Sequence, residues 1–228
     1  MDKKKYLMLI IVVLTMISCG SRQSATQNEQ SVLETDELAN ELPEGWEALI
    51  DANSLKGWEI VRLGGEGEPF VRNGILTLPR AEGGNSTGVR LENGNSFPAI
   101  NYAIYYEARR VEGSDIFAGM TFPYGDTYAS LIVGGWGGAL CGLSSIDGED
   151  ASSNETTTHM HFVDNEWYPV YLRVTADSIR AIIDTVKVVD LATAGRRIHL
   201  RSGTTAPSLT FTTFRTTGQI RNMRVKKL

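Results

Sequence analysis

The chain has 228 residues and a formal net charge of −5 at pH 7, and 42% of its residues are hydrophobic. This length and apolar content allow one sizeable domain with a core of its own. The acidic balance argues against nucleic acid as a partner, because proteins that bind nucleic acid neutralise its phosphates with clustered Lys and Arg.

The first residues predict a lipoprotein signal peptide over residues 1–18. Three lysines precede an apolar run from Tyr6 to Ile17, which is shorter than the ~20 residues of a membrane-spanning helix. The segment MISC, which ends at Cys19, resembles a bacterial lipobox, in which the cysteine is lipidated and begins the mature chain. We therefore expect a protein of the bacterial cell envelope, held at the membrane by lipid on Cys19. The alternative is an ordinary cleaved signal with an incidental cysteine.

Residues 19–43 predict a flexible tether. They are rich in Gln, Ser, Thr, Asn and Glu and contain no aromatic residue, a composition that cannot build a packed core. If Cys19 is acylated, Cys141 is the one remaining thiol, so no disulfide can form within the chain. Residues 44–228 are then expected to form a single domain.

The domain is predicted to be all-β. Apolar segments after Gly45 are short, rich in Val, Ile, Thr and aromatics, and bounded by Gly, Asn, Asp or Pro, as strands are. Asn73-Gly74 predicts a two-residue hairpin turn. The expected strands are Trp46–Asp51, Trp58–Arg62, Phe70–Arg72, Ile75–Leu78, Gly88–Leu91, Tyr102–Val111, Ile116–Phe122, Tyr128–Gly134, Ala139–Ser144, His159–Val163, Tyr168–Thr175, Ser178–Asp184, Lys187–Asp190, Ile198–Arg201, Leu209–Phe214 and Gln219–Lys226. So many short strands favour two packed sheets, as in a β-sandwich or jelly roll.

Four segments carry a family resemblance. They read SLKGW at 54–58, FVRNGIL at 70–76, NEWY at 165–168 and IRNMRV at 220–225. In this order they resemble a bacterial family of concanavalin A-like jelly rolls named for 3-keto-disaccharide hydrolase. The resemblance implies a jelly-roll fold, a carbohydrate partner and cleavage of 3-keto-glycosides by hydrolysis or elimination. Residues 113–158 depart from the family's common pattern, so its catalytic residues do not carry over one by one.

The departing segment contains a tryptophan beside a loop rich in oxygen atoms. Trp136 has two glycines on each side, which leave the backbone open to unusual φ values. The predicted loop residues for substrate binding are Asp147, Glu149, Asp150, Asn154 and Glu155. An aromatic face beside fixed acceptors is typical of a sugar site. The same oxygens also suit a divalent cation such as calcium. The alternative to both is a bulged strand followed by a solvated loop.

Two pairs of residues are candidates for catalysis. Glu107 and Arg109 alternate on one face of a long predicted strand, either as a surface ion pair or as an acid or base beside a group that binds hydroxyls. His159 and His161 also share a strand face, and they offer one base or two metal ligands. A 3-keto sugar needs only one base to begin elimination, because the ketone acidifies the neighbouring C–H. Glu107, His159 and His161 are therefore the predicted catalytic residues, and Arg109 joins Trp136 and the loop in substrate binding.

The other tryptophans, Trp46, Trp58 and Trp167, are expected to pack in the core, because each marks the start of a strand. The leading hypothesis is an envelope-anchored, carbohydrate-active domain. Its alternatives are a lectin-like module without catalysis and a structural envelope domain stiffened by calcium.

Overall fold

The structure is a computed structural model that describes residues 44–63, 67–81, 83, 86–92, 97–200 and 208–228. The predicted signal peptide, the lipidated Cys19 and the tether lie outside these residues. The described residues are almost entirely β-structure, as predicted. No helix among them is both long and apolar enough to cross a bilayer.

Fifteen strands are formed within the described ranges. They are β1 (Trp46–Ala48), β2 (Trp58–Leu63), β3 (Phe70–Arg72), β4 (Ile75–Leu78), β5 (Ser86–Leu91), β6 (Tyr102–Gly113), β7 (Gly119–Tyr124), β8 (Thr127–Gly134), β9 (Leu140–Ser144), β10 (Thr158–His159), β11 (Tyr168–Val174), β12 (Ser178–Ile183), β13 (Val186–Ala192), β14 (Thr210–Phe214) and β15 (Thr216–Lys227). The eight-stranded sheet has the order β13-β12-β11-β6-β15-β4-β3, with β1 also paired to β15. The seven-stranded sheet has the order β10-β9-β8-β7-β14-β5-β2.

The core lies between the two sheets. From the eight-stranded sheet, β6 points Ile104 and Tyr106 inward at every second position, as the two-residue period of a strand requires. Phe211 of β14 meets the Tyr106 ring edge-on at 5.1 Å, and Trp58 packs beside it. Cys141 is also buried, and burial raises the pKa of its thiol to about 11. The predicted two-sheet jelly roll is thus confirmed, with Trp58 in the core as expected.

Several strands end a few residues earlier than predicted, and two of the predicted strands hardly form. Of the segment His159–Val163, only His159 pairs with β9, because the chain then leaves the sheet and Phe162 enters the core. Ile198 forms only an isolated bridge to Ile146, and Arg201 lies outside the described residues. The hairpin turn at Asn73-Gly74 is formed, with φ of 53° and 73°, which are the positive values that this turn type needs.

Candidate functional site

The face of the eight-stranded sheet that points away from the core carries charged and aromatic side chains. On β6, where even-numbered residues enter the core, Tyr105, Glu107 and Arg109 take the opposite face. Glu107 and Arg224, 8% and 5% exposed, are the buried charged residues among those described, and both belong to this face. Burial of charge is costly unless partners compensate. The set that we call the outer-face cluster consists of Tyr105, Glu107, Arg109, Trp167, Gln219, Arg221, Asn222 and Arg224.

Glu107 is the centre of this cluster. Its Oε2 accepts a hydrogen bond from Nε of Arg221 at 2.7 Å, and Nη2 of Arg221 forms an ion pair with the same oxygen at 2.6 Å. Its Oε1 accepts from Nδ2 of Asn222 at 2.6 Å and from the hydroxyl of Tyr105 at 3.3 Å. Both oxygens of the carboxylate therefore have partners within the protein. The ionic partner of Glu107 is therefore Arg221 on the neighbouring strand, not Arg109, which the sequence pattern offered as a surface partner.

A β-bulge in β15 explains how two consecutive residues reach the same carboxylate. Glu107 lies opposite Arg221 and Tyr105 lies opposite Arg224, so Asn222 and Met223 together face one residue of β6. Asn222 has a φ of 54°, and Met223 turns into the core with 2% exposure. In a regular strand the residue after Arg221 would point to the core. The bulge instead lets Asn222 stay beside Arg221, as bulges near functional sites often do.

Trp167 stacks against two arginines of the cluster. The guanidinium carbons of Arg109 and Arg221 lie 4.5 and 4.2 Å from the centre of its ring. The prediction that Trp167 packs in the core is wrong, because Val170 and every second residue of β11 after it face the core. The tryptophan three positions earlier therefore falls on the opposite face. Its ring remains partly exposed, and a partly exposed indole is a surface on which a sugar ring can stack.

A hydrogen bond of Arg109 and the protonation of Tyr105 complete the description of the cluster. The Nε of Arg109 donates to Oε1 of Gln219 at 2.8 Å, which positions the guanidinium beside Trp167. Burial, with the charge of Glu107 as a second cause, raises the pKa of Tyr105 to about 12. The Tyr105 phenol thus keeps its proton at neutral pH and acts as a donor to Glu107.

Trp136 lies elsewhere, in the connection between β8 and β9 of the seven-stranded sheet. It sits inside a four-residue helical turn, Gly135–Gly138, with φ 48° and ψ 52°, and is 46% exposed. A left-handed backbone is uncommon for so bulky a residue, and such strained residues cluster at functional sites. A Cβ at Gly138 would come within 2.7 Å of the Arg110 side chain, so the glycine there permits a close approach. The structure therefore displays the Trp136 indole from a turn and not from a strand.

The charged ends of the acidic loop are paired with arginines. Oδ2 of Asp147 accepts from Nε of Arg196 at 2.6 Å, and Oδ1 accepts from the amide of Arg197 at 2.7 Å. Glu155 forms an ion pair with the same Arg196. The Arg197 amide and then the Arg196 guanidinium hold the pKa of Asp147 below its ordinary value, and the hydrogen bond from Arg196 lowers that of Glu155. Both carboxylates therefore already have partners within the protein.

The middle of the loop is held by internal hydrogen bonds. Asp150 accepts from the hydroxyl of Ser144, and Nδ2 of Asn154 donates to the carbonyl oxygens of Leu143 and Asp150 at 2.8 and 2.9 Å. The side chain of Glu149 is exposed. Among the described residues, no group of three or more His, Cys, Asp or Glu is arranged to hold a metal ion. The calcium site predicted in this loop therefore has no geometric support in the described part of the chain.

The pairing of this loop gives a testable pH dependence. The Arg196→Gln variant should melt at a lower temperature than the parent, and the difference should be largest above pH ~5 and shrink as the pH falls. The reason is that carboxyls whose folded pKa is lowered stabilise the protein above their unfolded pKa of roughly 4 and lose that effect as they protonate. Thermal melting from pH 3 to pH 7 measures this, with Arg72→Gln on β3 as the control. A difference that does not change with pH, or a melting temperature that rises with calcium, would contradict it.

The strand face predicted to carry both His159 and His161 is not formed, because β10 ends at His159. The two histidines flank Met160, which packs against the core, and both imidazoles are exposed. They lie at and just beyond the edge strand β10 of the seven-stranded sheet, whereas Glu107 lies on the eight-stranded sheet. The proposed catalytic roles of these three residues stay predictions.

Sequence patterns identified two of the eight cluster residues, Glu107 and Arg109. The sequence also carries a signal for the cluster residues of β15. The segment IRNMRVKK of β15 alternates its apolar and basic residues except at one extra position, which is the mark of a strand with a bulge. Read in this way, Arg221 and Arg224 fall on one face.

The two packed sheets define a jelly-roll domain, and its family is one of carbohydrate-active domains. Residues 45–226 match the family described as the 3-keto-alpha-glucoside-1,2-lyase-like domain, and the chain belongs to this family. The resemblance seen in its four sequence segments is thereby confirmed. No curated protein matches the chain.

Several solved structures share the fold at low identity. A putative glycosyl hydrolase from Parabacteroides distasonis has a TM-score of 0.52 at 13% identity, over 81% of this chain and 95% of that chain. The apo form of the Crh5 transglycosylase has a TM-score of 0.54 at 11% identity, over 80% of this chain and 83% of that chain. Because the identities are this low, these likenesses establish the fold and nothing about the ligand.

Proposed function

We propose that this domain binds carbohydrate on the outer face of the eight-stranded sheet and cleaves a 3-keto-glycoside there by elimination. One observation carries the proposal. Trp167, a partly exposed indole, lies against Arg109 and Arg221, and Arg221 in turn holds the carboxylate of Glu107. An aromatic platform beside fixed donors and a carboxylate meets the needs of sugar binding and of proton transfer. Membership of the lyase-like family supports the same chemistry.

The reaction follows from the acidity of a C–H bond beside a ketone. A base removes the proton from C2, and the electron pair passes to the C3 oxygen as an enolate. When the enolate collapses, a C1–C2 double bond forms, the C1–O bond breaks, and the leaving oxygen takes up a proton. Addition of water to the double bond would then complete a net hydrolysis. Positioned cationic donors such as Arg109 and Arg221 stabilise the negative oxygen of such an enolate.

The proton acceptor in this scheme is Glu107. Both of its oxygens already have partners, and release of one donor would free an oxygen to accept a proton. Asn222 is the donor best placed to leave, because its side chain is exposed whereas Tyr105 is buried. The bound sugar itself would displace Asn222. His159 and His161 are the alternative bases.

The occupied carboxylate also favours a second candidate function, a lectin-like module that binds sugar without cleaving it. In that case Glu107 serves only to hold Arg221 and Asn222 in position for sugar hydroxyls. A permanent network of this kind gives a preorganised binding surface.

One experiment separates the two candidates. The protein is incubated with a 3-keto-glucoside and with the parent glucoside, with calcium or with a chelator, and cleavage is followed by mass spectrometry while binding is followed by calorimetry. Release of the leaving alcohol from the 3-keto-glucoside, slowed in Glu107→Gln, supports the lyase. Binding without release supports the lectin-like module. If the protein neither binds nor cleaves these sugars, both candidate functions are excluded. The comparison of calcium with a chelator tests the predicted dependence on a cation.

We also propose that the mature protein is held in the bacterial cell envelope by lipid on Cys19, with residues 19–43 as tether and residues 44–228 as the domain. The lipobox-like segment before Cys19 supports this. The Cys19→Ser variant should then move from the membrane fraction to the soluble fraction. Mass spectrometry of the mature N-terminus should show acyl chains in the parent, and their absence there would contradict the proposal.

A further inference from the structure

The charge of the outer face differs in sign from that of the whole chain. Strand alternation on β11, β6 and β15, the three central strands of this face, turns five cations and two carboxylates away from the core. The cations are Arg109, Arg173, Arg221, Arg224 and Lys226, and the carboxylates are Glu107 and Glu112, which lies opposite Thr217. The chain as a whole has a net charge of −5. A cationic face on an acidic protein attracts anionic ligands selectively.

From this arrangement we infer that the ligand of the outer face is an acidic saccharide, which bears a carboxylate or a sulfate. The inference rests on the proposed function, since it names the class of carbohydrate that the same face takes. Carboxylate and sulfate share the feature that matters here, two or more negative oxygens that match the planar fork of a guanidinium.

Arg109 is the residue best placed to meet the anion. Its Nε donates to the neutral amide of Gln219, and none of the ion pairs among the described residues includes it. Arg221, by contrast, already neutralises Glu107. An incoming anion can therefore bind Arg109 without first breaking an ion pair of the protein. A guanidinium that is partly shielded from water by Trp167 also forms a stronger bond to an anion than an exposed one.

Neutral groups on either side of Arg109 suit the remainder of a sugar. Gln219 lies opposite Arg109 on β15, and Thr77 lies opposite Gln219 on β4. Nε2 of Gln219 donates to Oγ1 of Thr77 at 3.0 Å, and Thr77 is buried, so the part-exposed Gln219 amide, one strand spacing of about 4.8 Å from Arg109, is the neutral polar group that this row offers to a hydroxyl. Trp167 closes the row on the other side. Hydroxyls, an acidic group and an apolar ring face thus each have a matching partner, and this distinguishes an acidic sugar from a simple polyanion.

Calorimetry with four probes of matched length tests the inference. The probes are an oligouronate, a sulfated oligosaccharide, a neutral oligosaccharide and oligoglutamate, each titrated into the full-length protein at low salt and at about 0.15 M salt. We expect one of the acidic saccharides to bind at least ~10-fold more tightly than the neutral one, with an affinity that falls as salt screens the charges. The preferred probe identifies carboxylate or sulfate as the recognised group.

Two variants locate the effect. Arg109→Gln should lose about 10-fold in affinity for the acidic saccharide, the loss of one charge-assisted contact, and a clearly smaller factor in affinity for the neutral one, so that the preference for the acidic saccharide falls. Arg62→Gln, an exposed arginine on β2 of the other sheet, should change neither affinity. Circular dichroism of both variants confirms that they are folded.

Three results would overturn the inference. They are equal affinity for acidic and neutral saccharides, equally tight binding of oligoglutamate, and an acidic preference that survives in Arg109→Gln. If the protein binds or cleaves a neutral 3-keto-glucoside with no acidic preference, the proposed function stands and only this inference fails. If it binds no saccharide at all and cleaves no 3-keto-glucoside, the proposed function fails as well.

Discussion

Replacement of Glu107 with alanine is expected to lower the free energy of unfolding by about 2–3 kcal/mol, because a buried charge pair and its hydrogen bonds lose their acceptor. Three hydrogen bonds, from Arg221, Asn222 and Tyr105, and the ion pair with Arg221 converge on this carboxylate. Tyr105 is 1% exposed, so its hydroxyl has little access to water. The side chain of Arg221 is 38% exposed, which reduces its share of the loss because water can solvate it.

A second pair of the same geometry provides the control. Glu59 and Arg90 also lie directly opposite each other on neighbouring antiparallel strands, but their side chains are 47% and 38% exposed. Glu59→Ala should therefore cost less than about 1 kcal/mol, as exposed ion pairs do. Denaturant unfolding of both variants gives the comparison. Equal losses would show that the network around Glu107 does not stabilise the fold.

Replacement of Trp167 with alanine is expected to weaken carbohydrate binding about 30-fold, which corresponds to the ~2 kcal/mol of an aromatic hot spot. Two effects combine here. The variant loses the surface on which a sugar ring would stack, and it releases the guanidinium groups of Arg109 and Arg221 from their positions 4.5 and 4.2 Å from the ring centre. Stability should change less than in Glu107→Ala, because the indole is not part of the hydrophobic core.

Trp136→Ala is the matched control for the position of the site. Trp136 is the tryptophan that the sequence pattern predicts for sugar binding, and it lies in the β8–β9 turn of the other sheet, 46% exposed. Titration of both variants with the saccharide that the parent binds best decides between them. A large loss in Trp136→Ala with little change in Trp167→Ala would move the binding site from the outer face to the β8–β9 turn.

Features that depend on one strand or one turn could be predicted from the sequence. The shared face of Glu107 and Arg109 follows from alternation within β6. The Asn73-Gly74 hairpin follows from the need for positive φ at both turn residues. The all-β fold in two sheets follows from the spacing and composition of the strands. Each of these is a local property, which the neighbouring residues alone determine.

Features that depend on distant partners could not be predicted. The sequence around Asp147 shows an acceptor but none of its donors, so this loop residue resembled a cation ligand. The donors, Arg196 and Arg197, follow some fifty residues later. Glu107 likewise finds Arg221 across a sequence separation of 114 residues. Strand order and register decide such pairs, and a single sequence gives no direct measure of either.

The bulge at Asn222 has an evolutionary consequence. Arg221 and Arg224 occupy the outer face while Met223 enters the core, so removal of Asn222 would leave three residues that alternate as in an ordinary strand. Asn222, one of the donors to Glu107, is in this sense an insertion of one residue into an otherwise regular strand. A sequence can gain or lose this residue without repacking the core. Most other side chains at position 222 would be strained, because its φ is 54°. A deletion at this point would therefore change the ligand-facing surface while it spared the fold.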